Sequence, residues 1–207
     1  MDMNLANEAL QRLREGNARY VRDDIAPANF CSQARRDELS DGQAPFAVIL
    51  GCSDSRAPAE LIFDQGLGDL FVVRVAGNVI CPETMGSIEF ACSKFGTRLI
   101  VVMGHTGCGA VAATVDYIND PAMELTASLE SIVRDIRPSV EGVVAEGTQL
   151  GRKDLIRQAE RLNVAHSVDQ LTSDSPLLCD LIENEGLQVC GSMYDLASGT
   201  VEWSPFA

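Results

Sequence analysis

Two short apolar runs, each ended by glycine and a reactive side chain, constrain the fold of this chain more than any other feature. Residues 46–50 read FAVIL and residues 99–103 read LIVVM, and the stretches that follow them are GCSDSR and GHTGCG. Runs of this length that are rich in valine, isoleucine and leucine are typical of strands buried on both faces of a parallel sheet. The sequence therefore predicts two parallel strands whose carboxyl ends carry polar side chains.

The polar side chains at these strand ends match the ligand preferences of zinc. In an open α/β sheet, sites form in the crevice outside the carboxyl ends of the strands. Cys52, His105 and Cys108 would meet there, and they can give one zinc ion three ligands and leave the fourth position to water or to Asp54. By spacing alone, two unrelated buried cysteines and a hydrogen-bonded histidine remain an alternative.

Asp54 and Arg56 flank the first of these cysteines. A carboxylate beside zinc can bind the metal or accept a hydrogen bond from metal-bound water, and an arginine can hold that carboxylate through two parallel hydrogen bonds. In isolation, the same pattern also fits an ion pair on the protein surface.

The order of apolar runs and helical patterns predicts one α/β domain over residues 1–207, with an N-terminal helical arm in residues 1–40 and an α/β core in residues 41–207. We expect a central, mostly parallel sheet of four parallel strands and an antiparallel C-terminal edge strand, flanked by helices. Helix boundaries are predicted at a break containing Pro27, at a cap formed by Thr84, and at a break at Pro138.

Composition excludes several classes of partner. The formal net charge of −14 argues against binding of nucleic acid or an anionic membrane surface, which require a basic face. No apolar stretch reaches the length of a membrane span, and the N-terminus lacks the pattern of a secretory signal, so we expect a cytoplasmic protein. The seven cysteines are then expected to form no disulfide, and those outside the zinc motifs are predicted to be buried filler.

The two motifs together resemble those of the β-class carbonic anhydrases. The pattern is Cys-x-Asp-x-Arg followed about fifty residues later by His-x-x-Cys, and the similarity extends over nearly the whole chain. Three further stretches carry it: ALQRLREGN at residues 9–17, LFVVRVAGN at residues 70–78, and YDLASGTVEW at residues 194–203.

The resemblance implies a zinc lyase that reversibly hydrates CO2 to bicarbonate and a proton, with one Zn2+ per subunit. It implies that Cys52, His105 and Cys108 bind the metal and that zinc-bound hydroxide attacks CO2 with help from an Asp54–Arg56 dyad. It also implies a homodimer, or a dimer of dimers, whose substrate pocket spans the dimer interface. The N-terminal helix of each subunit would embrace the partner subunit. The implied substrate-binding residues are Gln43, Phe71, Phe90 and Gly109, with Phe90 in place of a tyrosine found in some relatives.

Some members of this family also carry a Trp–Arg–Tyr set that binds regulatory bicarbonate. Aligned by hand, these positions are Ile49, Arg74 and Phe90, so only the arginine is present. We therefore expect no regulatory site of that kind and a site in which Asp54 is held away from the metal.

Two other functions use the same motifs. Hydrolysis of CS2 or COS occurs on the same fold in similar proteins and would need the same five residues. A non-catalytic zinc-binding assembly or sensor protein is a further alternative, although metal binding alone would not require Asp54 and Arg56. An assay with each substrate separates these functions.

Overall fold

The structure is a computed structural model that describes residues 3–25, 31–146 and 150–204. These residues form five strands and eight α-helices, together with a short 3-10 helix at Ala76–Asn78. The strands are β1 (Ala47–Gly51), β2 (Leu70–Arg74), β3 (Leu99–His105), β4 (Gln188–Tyr194) and β5 (Val201–Ser204). The helices are α1 (Met3–Val21), α2 (Gln33–Glu38), α3 (Ala59–Ile62), α4 (Pro82–Phe95), α5 (Gly109–Asn119), α6 (Ala127–Glu146), α7 (Arg152–Ser173) and α8 (Pro176–Glu185).

All five strands form one sheet in the order β2-β1-β3-β4-β5. The first four strands are parallel, and β5 pairs antiparallel with β4 at the edge. Every residue of β1 and β3 is buried, as a strand covered by helices on both faces requires. The predicted fold class is therefore confirmed.

The sheet divides the core into two main layers. On one face, side chains of β1 and β3 such as Leu50 and Val102 pack against α4, α7 and α8. On the other face, Ile49 and Val101 pack against α1 and α3. The apolar side of α1 therefore packs on the sheet of its own chain.

Helix ends follow local capping rules, with one difference from the sequence prediction. Gly96 ends α4 in the left-handed conformation, as expected of a helix C-terminus. At the start of α4, the N-cap is Cys81 rather than Thr84. Thr84 lies three residues later, and its hydroxyl accepts a hydrogen bond from the Cys81 backbone N–H at 2.8 Å. The threonine thus supplies the reciprocal half of a capping box.

The predicted break at Pro138 is wrong, because α6 runs unbroken through this residue. Pro138 lies on the exposed side of the helix, where water can replace the backbone hydrogen bond that proline cannot form. Val133, Ile136 and Val140 on the opposite side are buried and hold the helix in place. The predicted break at Pro27 lies outside the described residues.

The cysteines outside the zinc motifs do not share one environment. Cys92 is 1% exposed and fits the prediction of buried filler. The prediction is wrong for Cys31, which is exposed, and Cys81, Cys179 and Cys190 are only partly buried. Among the described helices, none combines the length and apolar character needed to cross a lipid bilayer.

Candidate metal centre

The parallel pairing of β1 and β3 brings the two cysteine-bearing segments together. Gly51, the last residue of β1, pairs with Met103 of β3, so Cys52 emerges beside the end of β3 that carries His105. The chain then turns sharply at Gly107, whose φ of +71° is a left-handed conformation that favours glycine. This turn returns Cys108 to the same place as the N-cap of α5.

The three donor atoms form a compact cluster that could hold a metal ion. One atom each from Cys52, His105 and Cys108 lie within 4.8 Å of one another, and all three residues are buried. The two sulfurs are 3.9 Å apart. The structure thus brings together the three residues that the sequence singled out as ligands.

The imidazole of His105 is oriented for metal binding. Its Nδ1 lies 3.1 Å from the Thr106 carbonyl oxygen, an arrangement in which Nδ1–H donates and Nε2 keeps a free lone pair. Within the described residues, Nε2 is buried and has no hydrogen-bond partner. Since a buried polar atom without a partner costs free energy, a cation at this atom fits the site.

The two sulfurs share negative charge. The hydrogen bond between them lowers the pKa of the Cys52 thiol, while the same contact raises the pKa of the Cys108 thiol. The backbone N–H of Gly77 also donates to the Cys52 sulfur at 3.4 Å and favours its thiolate. Two soft sulfur donors and one imidazole nitrogen are a ligand set that suits zinc.

The carboxylate of Asp54 lies beside this cluster and is held by Arg56. Asp54 Oδ2 is 4.0 Å from Nε2 of His105. Arg56 donates from Nε to Oδ1 at 2.9 Å and from Nη2 to Oδ2 at 2.7 Å, and its backbone N–H donates to Oδ1. The Arg56 side chain, as the largest contribution, holds the pKa of the Asp54 carboxyl well below its usual range.

A second arginine fixes the backbone that carries these residues. Arg74, at the end of β2, donates from Nε to the carbonyl of Cys52 at 2.9 Å and from Nη2 to the carbonyl of Asp54 at 2.5 Å. The segment from the first cysteine to the aspartate is therefore held from the neighbouring strand.

Sequence reasoning missed Glu160 of α7. This carboxylate is 2% exposed, and its Oε1 accepts the backbone N–H of Cys108 at 2.8 Å. Burial raises the pKa of Glu160, opposed by its hydrogen bonds from the N–H groups of Cys108 and Gly107. The only signal in the sequence is that Glu160 shares a helix face with apolar residues such as Ile156 and Val164.

The implied substrate residues lie apart from the metal cluster of the same chain. Gln43 is exposed and precedes β1, whereas Cys52 follows it, so the length of the strand separates them. Phe71 pairs with Val48 in the first half of β1. Phe90 is 52% exposed and lies 6.4 Å from Phe71 between ring centres. Only Gly109, the first residue of α5, adjoins a candidate ligand.

The three positions that were aligned by hand with a regulatory bicarbonate set, Ile49, Arg74 and Phe90, do not lie together within this chain. Ile49 is fully buried on the sheet face covered by α1, whereas Phe90 belongs to the aromatic contacts on the opposite face. These two side chains cannot line one site within this chain. Arg74 instead binds the backbone of the candidate metal centre.

Three comparisons with known proteins point to one family. A family model described as carbonic anhydrase matches residues 47–201. The chain is 40% identical to carbonic anhydrase 2 of Mycobacterium tuberculosis, over 92% of this chain and 89% of the relative. Its fold is similar to that of a β-carbonic anhydrase of Aspergillus fumigatus, with a TM-score of 0.76 and 32% identity over 87% of this chain and 86% of the other. It also resembles a tetrameric β-carbonic anhydrase of Sordaria macrospora, with a TM-score of 0.74 and 27% identity over 82% of this chain and 85% of the other.

Proposed function

The chain belongs to the β class of the carbonic anhydrase family, and on that premise we propose that it is a zinc lyase that reversibly hydrates CO2 to bicarbonate and a proton. The observation that carries the proposal is the compact cluster of two sulfurs and one imidazole nitrogen at the carboxyl ends of β1 and β3. A carboxylate–guanidinium pair lies next to that cluster.

In this proposal, Cys52, His105 and Cys108 hold one Zn2+ per subunit. When bound, zinc acidifies a water molecule, so that hydroxide is available near neutral pH. The unpartnered Nε2 of His105 and the thiolate character of Cys52 support this assignment. Two thiolate ligands also donate charge to the metal, so the neighbouring protein groups contribute to activating and orienting the nucleophile.

Asp54 supplies the orienting contact. Because Arg56 keeps the Asp54 carboxyl ionised, that carboxylate accepts a hydrogen bond and does not donate one. With a metal bound, it would accept a hydrogen bond from the nucleophile and so orient it towards CO2. Arg56 holds both carboxylate oxygens, and this pairing favours an Asp54 that stays off the metal.

The substrate pocket is proposed to form between two subunits. Gln43 precedes β1 and Phe71 lies near the start of β2, while the metal ligands lie at or beyond the opposite ends of β1 and β3. A strand advances about 3.3 Å per residue, so Gln43 is too distant to serve the cluster of its own chain. In a homodimer, or a dimer of dimers, Gln43 of one subunit can donate to substrate oxygen at the other subunit's metal centre, and Phe71 and Phe90 can supply apolar walls.

The proposed location is the cytoplasm, where the acidic surface of the protein would keep the assembly soluble. The alternative hydrolysis of CS2 or COS would use the same residues, so the assay includes all three substrates. We expect CO2 to be the substrate that is turned over.

Asp54→Ala is the test of the proposed chemistry. We expect this variant to retain zinc and to lose most CO2 hydration activity in a stopped-flow assay. A matched control is Asp41→Ala, because Asp41 is exposed in the segment before β1. Full zinc content together with unchanged activity in Asp54→Ala would contradict the role assigned to the Asp54–Arg56 pair.

A further inference from the structure

Helix α7 carries a row of buried polar side chains on the face that meets the candidate metal centre. Glu160, Asn163 and Ser167 are spaced three and four residues apart, which places them on one side of the helix. They are 2%, 1% and 1% exposed. We call these three residues the α7 polar row.

Each member of the α7 polar row binds backbone of a segment that forms the site. Glu160 accepts the N–H of Cys108 at 2.8 Å. Asn163 donates to the carbonyl of Gly77 at 2.7 Å, and Ser167 donates to the carbonyl of Asn78 at 3.0 Å. Side chains of one rigid helix therefore hold two segments that are far apart in the chain.

One of these segments contains a candidate zinc ligand, and the other donates a hydrogen bond to a second candidate ligand. Cys108 is itself one of the ligands, so Glu160 fixes the backbone that carries its sulfur. Gly77 donates its N–H to the sulfur of Cys52 at 3.4 Å, so Asn163 fixes the peptide next to that donor. The α7 polar row, which contains no zinc ligand, thus helps to fix the positions of both sulfurs.

The packing around these contacts leaves little freedom. A Cβ on Gly77 would lie 2.6 Å from Ile136 of α6. A Cβ on Gly104, next to His105, would lie 2.4 Å from Val164 of α7. Helices α6 and α7 thus pack closely against Gly77 and Gly104. A shift of α7 would therefore displace the segments that carry the candidate ligands as well.

The chemistry of Glu160 favours more than a packing role. A buried carboxylate is costly, and within the described residues its Oε2 has no hydrogen-bond partner. An apolar side chain at this position would leave the Cys108 N–H at the start of α5 without an acceptor. Partners that orient metal ligands from outside typically change metal affinity by about 10–100-fold when they are removed.

We propose that Glu160 and Asn163 are positioning residues that set the separation of the Cys52 and Cys108 sulfurs, and thereby the affinity and geometry of the metal site. Ser167 supports Asn163 by holding the next peptide. This inference rests on the proposed metal site, but it does not depend on which reaction that site catalyses.

The test compares Glu160→Ala, Glu160→Gln and Asn163→Ala with the wild-type protein. We expect Glu160→Ala to bind Zn2+ about 10–100-fold more weakly in competition with a chromophoric chelator. Glu160→Gln should recover most of the affinity, because the amide oxygen can still accept the Cys108 N–H. Asn163→Ala should weaken binding in the same direction through Gly77 and Cys52.

Cobalt substitution supplies a readout of geometry. The sulfur-to-cobalt absorption bands of Glu160→Ala and Asn163→Ala should differ from those of the wild-type protein, whereas those of Glu160→Gln should match it. Asp169→Asn and Gln158→Ala, which alter exposed side chains of the same helix, are the controls and should match the wild type in both measurements.

A purely structural role gives a different result. It would lower the thermal stability of the metal-free and zinc-loaded proteins by the same amount and leave zinc affinity and the cobalt spectrum unchanged, and this outcome would overturn the proposal. If Glu160→Ala does not fold, Glu160→Gln and Asn163→Ala decide the question by the same two measurements. Wild-type protein that binds zinc but does not hydrate CO2 would refute the proposed function while leaving this test intact.

Discussion

Arg56 donates a hydrogen bond to each carboxylate oxygen of Asp54, through Nε at 2.9 Å and Nη2 at 2.7 Å. The two residues are only two apart in the chain, so this contact requires little ordering beyond the turn that follows β1. The pair is oriented beside the metal cluster, with Asp54 Oδ2 4.0 Å from His105 Nε2. The position and ionisation of Asp54 therefore depend on Arg56.

Replacing Arg56 should impair turnover more than metal binding. We expect Arg56→Ala to lower kcat for CO2 hydration by about 10²-fold, because Asp54 loses its fixed orientation, while zinc content stays at the wild-type level. Arg56→Lys should recover only part of the activity, since an ammonium group cannot bind both oxygens in a fixed plane. The measurement is stopped-flow hydration paired with metal analysis. Wild-type kcat in Arg56→Ala would show that the guanidinium is dispensable.

Mixed dimers can show whether Gln43 acts on the partner's metal centre. Gln43→Ala and Cys52→Ala should each form poorly active homodimers. After the two are unfolded and refolded together, half of the dimers are mixed, and each mixed dimer regains one complete site, so activity should reach about a quarter of the wild-type value. If Gln43 served its own chain, no complete site would form and mixing would restore nothing.

Two glycines in helices should respond oppositely to alanine. A Cβ on Gly16 of α1 would lie 1.8 Å from the Phe63 carbonyl oxygen, so Gly16→Ala should lower the free energy of unfolding by about 1–3 kcal/mol. Gly86 of α4 is exposed, and a Cβ added there would have nothing within 4 Å. Gly86→Ala should therefore raise the free energy of unfolding by about 0.5–1 kcal/mol. Urea denaturation measures both. Equal effects at the two sites would mean that α1 is not packed tightly on α3.

Burial of Cys92 should make stability depend on pH in the alkaline range. Burial raises the pKa of this thiol from 9.0 to about 11, so the folded state favours the neutral form. The corresponding stabilisation is complete below the unfolded pKa and is lost as pH rises through the folded pKa, amounting to about 2–3 kcal/mol. We expect the free energy of unfolding of the wild type to fall more steeply between pH 9.0 and about 11 than that of Cys92→Ala. Parallel curves for the two proteins would contradict this assignment.

The parts of the fold that could be predicted from sequence are those that depend on local pattern. The apolar runs of β1 and β3 are long, uninterrupted and stopped by glycine, and they became the two buried central strands. Cys52 and His105 lie at or directly after the ends of those strands, so parallel pairing alone was enough to bring them together.

Features that depend on contacts between distant segments could not be predicted in this way. Nothing in the sequence around Glu160 indicates that its carboxylate will meet the N–H of Cys108, because that contact exists only once α7 packs across the sheet. Pro138 was expected to break α6, but its exposure and the burial of the opposite helix face outweigh the local preference. Hand alignment likewise could not show that Ile49 and Phe90 lie on opposite faces of the sheet.

The central claim is that three residues at the carboxyl ends of β1 and β3 hold one catalytic zinc ion. The most direct measurement is to remove metal with a chelator and add Zn2+ back stepwise while recording CO2 hydration by stopped flow. The account predicts that activity is lost on removal and returns in proportion to zinc, with an end point of one ion per chain, and that His105→Ala shows no such return. Activity that persists in fully metal-free protein, or an end point unaffected by His105→Ala, would contradict it.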